Sequence, residues 1–453
     1  MKPHISSHFL TTEIIPIVHR ILPFLALATI PFCFLCLVTS ISDLRTYPGV
    51  DLRPKVVGAR LLAAGLDPYD SEENLPQDDY FRKSGPVTYT PALLALYVPL
   101  SALPFAMQRM IYFGLDWLCV AATFYLLQRH FCRTRLERYS CWIFYAAYIV
   151  CSYSFRLHLE RGQYYTLLLL LTCHAAASIK NKRAEWLSCV PTGLLLLLRP
   201  TYGLMLIAAL ICFGARKWAL RVTIVAALMF FVTLEFGGVQ RWFSFIHVAH
   251  EVQLRHLAEI TTNCNAWNGT QSSLKPGTNV FEHIDFQKML NSHSMNGTFI
   301  GCFSVPFVRA WRALSPVCGV LSPKWISSLN STFMILVLAG GIAVAYIAKR
   351  RIVSRNTLIA FMVLWPSVFE IFGPERFFYT AVLTVLPLLL LLLDPDNFNL
   401  NLLGTPRLYF LTAVLGLGLL SPMVFQLMYN LSVLRGSALV ASFVTLLVPC
   451  FCE

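Results

Sequence analysis

The stretch GVDLRPKVVGARLLAAGLDPYD, residues 49–70, sets Asp51, Arg53, Lys55, Arg60, Asp67 and Asp70 into one short segment just after the first apolar run of the chain. A carboxylate placed like Asp51 has two readings. It can take the proton of a hydroxyl as that hydroxyl attacks, acting as a general base. It can also cap the following helix by accepting an amide hydrogen bond. Asp43, Asp67 and Asp70 compete for the first role, although Asp-Pro-Tyr-Asp reads as a turn. Farther along come Arg156, His158, Glu160, Arg161 and Gln163, then Arg199, Glu235, Glu370, Glu375 and Arg376. An arginine fork binds phosphate oxygens in pairs. One Asp with one or more of these arginines therefore suits displacement of a phosphate leaving group, because the phosphate departs as an anion and needs no general acid. Glycoside hydrolysis needs two carboxylates at a set spacing instead, and the several acids of 43–79 leave that open. No His, Cys or carboxylate set has metal-ligand spacing, so neither a metal nor a cofactor is expected.

These residues must be positioned by membrane helices. The 453-residue chain is 57% hydrophobic and 13% charged, against roughly 25% charged in soluble domains. Apolar runs of spanning length recur to the C-terminus, which predicts an all-α polytopic membrane protein formed as a single integral membrane domain over 1–453. Twelve spans are expected, near 20–41, 107–128, 139–155, 163–179, 186–199, 201–214, 217–236, 326–348, 355–372, 376–393, 406–428 and 434–452. The pair 186–199 and 201–214 is short and reads as a helical hairpin. The N-terminal apolar run shows no small-residue cleavage site and reads as a retained anchor. The 14 Cys include no CxxC pair and mostly sit in apolar runs, where they act as small hydrophobes. Cys264, Cys302 and Cys318 leave one disulfide open in the large polar loop.

The formal charge of +13 marks orientation rather than nucleic-acid binding. The short segments 129–138, 180–185, 215–218 and 349–355 are rich in Lys and Arg, and such loops stay cytoplasmic. Together they place both termini in the cytoplasm, with the mildly acidic 394–405 as the exception. Two long loops then fall outside, 42–106 and 237–325. In the first, 52–64 reads as a short helix on the membrane surface, with Lys55 and Arg60 snorkelling. The segment 91–105 reads as re-entrant or interfacial; were it to cross, everything after it would invert. On this topology the ionisable groups gather at the outer mouth of the bundle, and Asp116 alone lies well inside a span, bonded within the bundle. A charge in the bilayer is costly and marks function. Transporters carry their sites near the midplane instead.

In order along the chain, GVDLRPKVVGARLLAAGLDPYD, YTPALLALYVPLSALPF, RGQYYTLLLLLT and GLLLLLRPTYGLML resemble glycosyltransferase family 87, over roughly 45–395. The resemblance implies a GT-C-type bundle and an enzyme that takes a hexose, mannose foremost, from a polyprenyl-phosphate donor to a lipid-linked or glycan acceptor. It implies an inverting displacement with Asp51 as the catalytic base. It places Gly162 and Gln163 at the Gly-Gln pair of the family, and Arg199 and Pro200 at its basic-Pro pair, usually Lys. Pro374 and Tyr379 fit the late Pro and Tyr, but the family's His is absent there, and Arg376 stands in part for it. Candidate donor-phosphate and substrate residues are thus Arg199, Arg376, Arg161, Arg156, Gln163, Glu160 and Tyr379. The expected location is a bacterial inner membrane with the site on the periplasmic side. A lipid-linked sugar flippase and a polysaccharide polymerase or ligase remain alternatives.

Overall fold

A computed structural model describes residues 15–46, 49 and 51–252, with short breaks at 71–73, 77, 83–85, 147–148, 150–152, 182–185 and 236–237, and then 332, 335–346, 355–371 and 382–393. Among these residues the protein is helical and carries no strand. The long first helix, α1 (Ile15–Thr46), presents Phe24, Leu27, Ile30 and Phe34 outward. After it come α2 (Leu52–Ala63), α3 (Pro91–Tyr97) and a single 3₁₀ turn, Val98–Leu100. The bundle continues with α4 (Phe105–His130), α5 (Arg135–Tyr145), α6 (Tyr153–Arg161) and α7 (Tyr165–Lys180). It closes with α8 (Trp186–Leu198), α9 (Pro200–Cys212), α10 (Arg216–Leu234), α11 (Arg355–Ile371) and α12 (Val385–Leu392).

Two of these helices, α4 and α10, are long and apolar enough to cross a membrane. Their outward faces carry Met110, Leu118 and Tyr125 on α4, and Leu220, Leu228 and Phe231 on α10, the apolar exterior that hydrocarbon requires. Seven further apolar helical stretches are shorter, so the expected count of twelve spans exceeds what the described residues display. The spans expected at 406–428 and 434–452 lie outside them. Likewise 139–155, expected as one span, is shared between α5 and α6.

The expected hairpin of 186–214 is present. α8 and α9 pack against each other with Arg199 as their one connecting residue. Gly203 lets them approach, since a Cβ there would collide with the Leu196 backbone. Around the hairpin, α8 also packs on α7 and α10, and α9 on α11. In this up-and-down packing the C-terminal ends of α6 and α11, the N-terminal end of α7 and the α8–α9 junction share one end of the bundle. α3 and its 3₁₀ turn span ten residues, far short of the ~20 needed to cross.

α2 forms where the sequence places it, but its surroundings correct the expectation of a surface helix. Ten of its twelve residues are buried. Leu52, Val56 and Ala59 join the main core with Leu93 and Tyr97 of α3, while Val57 and Leu61 pack with Leu75 on the other side. Gly58 gives α3 its room, since a Cβ there would meet the Leu94 side chain at 2.9 Å. Lys55 and Arg60 do not snorkel: both are buried. Arg60 ties down the connection into α4 by donating to the carbonyls of Ser101, Tyr80 and Leu103 at 3.0, 3.1 and 3.1 Å, with the Tyr80 ring 4.1 Å away. Buried guanidinium needs such acceptors, and three carbonyls within reach outweigh the pull of solvent. Helical segment 238–252, which opens the second long loop, docks on the turn after α2. There Arg241 donates to the Gly65 carbonyl at 2.7 Å, Ser244 donates to Asp67 at 3.0 Å, and Phe245 meets Tyr69.

Candidate active site

Two helix ends meet at Asp51. α6 stops at Arg161, and Gly162 adopts φ +69°. The Gly162 and Gln163 amides return to the Leu159 and His158 carbonyls at 3.2 and 3.1 Å, closing the helix with a Schellman motif. Only glycine suits that turn, and a Cβ there would also stand 2.6 Å from the Leu52 Cβ. Reversal at Gly162 aims the Gln163 side chain back toward α2. The Asp51 amide donates to the Arg161 carbonyl at 3.0 Å, which fixes the start of α2 against the end of α6.

The capping reading of Asp51 fails. The residue has φ −88° and ψ −12°, and its side chain makes no cap hydrogen bond. Its carboxylate faces the other way. Oδ2 receives Arg161 Nε at 2.8 Å and Gln163 Nε2 at 2.5 Å. The Asp51 side chain keeps 19% of its surface open. One oxygen is thus held by two donors while the side chain stays partly exposed, an arrangement that suits a base reached by an arriving hydroxyl. Of the competing acids, Asp67 and Asp70 build the turn. Asp67 accepts from the Tyr69 amide and from Ser244, both at 3.0 Å, and Asp70 accepts from Asn74 at 3.0 Å.

Lys55 sits one helical turn after Asp51 and is fully buried. Its Nζ donates to the Asp51 carbonyl at 2.9 Å, the Gly162 carbonyl at 2.8 Å and Gln163 Oε1 at 3.3 Å. The rings of Tyr89 and Tyr164 stand 4.5 and 5.5 Å away. Burial pulls the Lys55 ammonium down to about 7, against the pull of the Asp51 and Asp116 charges, while Arg161 adds to the lowering. Tyr89 donates its hydroxyl to the Asp51 carbonyl at 3.2 Å. Burial, with the Asp51 charge beside it, pushes that hydroxyl well above its usual value, so it stays neutral.

Among the described residues, the expected phosphate-binding arginines Arg156, Arg161 and Arg199 each have a carboxylate partner. Arg156 meets Glu160 at 2.8 Å, one turn along α6, so these two candidates form a pair of their own. Arg199 Nε meets Glu370 at 2.6 Å, and Thr201 donates to the other Glu370 oxygen at 3.2 Å. Glu370 is fully buried, and this bond ties the α8–α9 junction to the end of α11. The Arg199 charge also acts on the hydroxyls of Tyr164 and Tyr165, and the two rings stack 5.4 Å apart. Through Tyr164 the Arg199 cluster therefore adjoins the Asp51 cluster. Arg376 and Tyr379 lie outside the described residues.

Deeper in the bundle, Asp116 is bonded to its neighbours as expected. Its Oδ1 accepts from Thr166 and stands 3.1 Å from His158 Nε2, and His158 is fully buried. No group of His, Cys, Asp and Glu among the described residues is arranged to hold a metal ion. Lys55, Tyr89 and Thr166 escaped the sequence reading. The one available signal was the four-residue spacing from Asp51 to Lys55, which puts both on one helix face.

The family model of glycosyltransferase family 87 matches residues 88–368. No curated protein and no solved structure matches the chain. The matched stretch holds Arg161, Gln163 and Arg199; Asp51 and Lys55 precede it, and Arg376 and Tyr379 follow it.

Proposed function

Because the chain belongs to glycosyltransferase family 87, we propose that it is a membrane transferase moving a hexose, mannose first, from a polyprenyl-phosphate donor to a lipid-linked or glycan hydroxyl, with Asp51 as the base. Family membership favours bond formation over the flippase reading. The observation that carries the role of Asp51 is its carboxylate, turned away from the helix it precedes and held on one oxygen by Arg161 and Gln163.

That geometry supports an inverting displacement. The acceptor oxygen attacks the anomeric carbon from the face opposite the phosphate. Its proton passes to Asp51 Oδ1 as the new C–O bond forms. The bond from the anomeric carbon to the phosphate oxygen breaks, its electron pair leaves with the polyprenyl phosphate, and the configuration inverts. Arg161 and Gln163 hold the carboxylate in place for the acceptor, and orientation of this kind supplies much of an enzyme's rate. Growing charge on the leaving phosphate calls for a cation nearby. Arg161 stands closest to the base. A guanidinium has five N–H donors, so Arg161 can keep Nε on Asp51 while its terminal nitrogens turn to phosphate. Arg199, Arg156 and Arg376 are the further candidates, with Glu160 and Tyr379 beside them as substrate contacts. The outward Leu and Phe faces of the bundle suit a lipid tail arriving sideways from the bilayer. The site would face the periplasm of a bacterial inner membrane, with both termini cytoplasmic, beneath the outer loops 42–106 and 237–325.

Purified protein in lipid nanodiscs, given radiolabelled mannose either on polyprenyl phosphate or on a nucleotide, tests the donor class. Labelled glycan or glycolipid from the lipid donor alone is expected. Consumption of the nucleotide sugar alone would overturn the proposal.

A further inference from the structure

The Lys55 ammonium has three N–H donors and meets three oxygens that can only accept: two backbone carbonyls and Gln163 Oε1. Tyr89 and Tyr164 present ring faces to its remaining sides. Burying an amine this deeply is costly unless each donor finds a partner, and here the count matches. The bond to Gln163 has a consequence for the base. A side-chain amide is nearly symmetric in shape, and only its surroundings decide which end is oxygen. With Oε1 on the Lys55 ammonium, Nε2 must point to Asp51 Oδ2. The flipped amide would set NH2 against NH3⁺ and oxygen against carboxylate, two repulsions in place of two bonds. Lys55 also bonds the Gly162 carbonyl, and so holds the turn that aims Gln163.

We propose that Lys55 is a positioning residue for the transfer reaction: it fixes the polarity of the Gln163 amide, and through it the orientation of the Asp51 carboxylate, without touching substrate. This inference rests on the reading of Asp51 as the base. Lys55 is one helical turn from Asp51 in sequence, while Gln163 comes from another helix end 108 residues later, so the device forms only when α2 docks against the α6–α7 junction.

The test is a mutant cycle on the full-length protein in nanodiscs, with polyprenyl-phosphate mannose as the probe and Asp51→Asn as the reference. Lys55→Met removes the charge and keeps the length. Lys55→Gln keeps two N–H donors for the backbone carbonyls, so it serves where the methionine variant fails to accumulate. Either is expected to lower kcat roughly tenfold to a hundredfold while the donor KM stays within about twofold. Gln163→Leu should lower kcat alike, and the Lys55 and Gln163 double variant should be no slower than the slower single, because both act through one bond. Multiplying losses, or a loss in KM with kcat intact, would overturn the proposal. If Asp51→Asn loses transfer and both Lys55 variants keep the full rate, the positioning role falls and the base stands. If Asp51→Asn transfers normally, the base and the positioning role fall together.

Discussion

Removing Arg199 should reveal whether it is a tie within the bundle or a phosphate ligand held in waiting. Its Nε stands 2.6 Å from a Glu370 carboxylate that has no exposed surface. At an effective dielectric of 20 and charge centres about 4 Å apart, that attraction is worth roughly 4 kcal/mol. Arg199→Ala leaves the buried Glu370 carboxyl without its guanidinium, with the Thr201 hydroxyl as a remaining partner. Breaking a buried pair from one side costs about 3–5 kcal/mol. The fraction of detergent-solubilised protein that stays monodisperse after heating should show a midpoint several degrees lower. Arg199→Ala combined with Glu370→Gln removes the stranded charge as well and should recover most of the loss. If Arg199→Ala instead keeps its midpoint and raises the donor KM tenfold or more, the tie is not what holds α11 to the hairpin, and the structural reasoning is refuted.

Gly162→Ala combines a left-handed backbone with a Cβ 2.6 Å from Leu52; it should cost about 1–2 kcal/mol in strain alone and cut transfer far more than expression, read as activity per unit of folded protein. Asp67→Asn and Asp70→Asn, which touch the turn after α2 and, through Ser244, the segment docked on it, should keep kcat within about threefold, and a loss comparable to that of Asp51→Asn would place the base elsewhere. The Lys55 ammonium, held down at about 7 by burial, gives opposite signs for stability and activity. The unfolded chain binds the extra proton between about 7 and the ordinary 10.5, so thermal stability should rise with pH across that window. As pH rises through about 7, kcat should fall as Lys55 loses the charge that orients Gln163, and the fall should be absent in Lys55→Met. Around Lys55 stand Asp51, Asp116 and Arg161, the ring of Tyr164, and Tyr89, whose hydroxyl stays neutral.

The helical class, the short helix over 52–64 and the 186–214 hairpin were legible in the sequence. Each rests on local rules: apolar runs, proline in a first turn, glycine at a helix end. Asp116 as a bonded residue followed from the cost of a lone charge among apolar helices. What escaped were choices made by tertiary packing. The pattern of α2 suited a membrane surface, and nothing in it told that the turn after α6 would offer Lys55 two oxygens worth more than solvent. Arg60 was misread for the same reason, since its carbonyl partners come from residues 20 to 43 positions away. The pairing of Arg199 with Glu370 was not legible because that carboxylate lies 171 residues along the chain. Asp51 before a helix looked equally like a cap, and only its backbone angles and the two donors on Oδ2 separate the readings.

The central claim is that Asp51 takes the acceptor's proton. Its most direct test is transfer of radiolabelled mannose from polyprenyl-phosphate mannose, in membranes holding equal amounts of wild-type and Asp51→Asn protein. A labelled product with wild type and a fall of at least ~100-fold with Asp51→Asn are expected. Equal labelling by the two would contradict the claim and send the search for the base to another carboxylate.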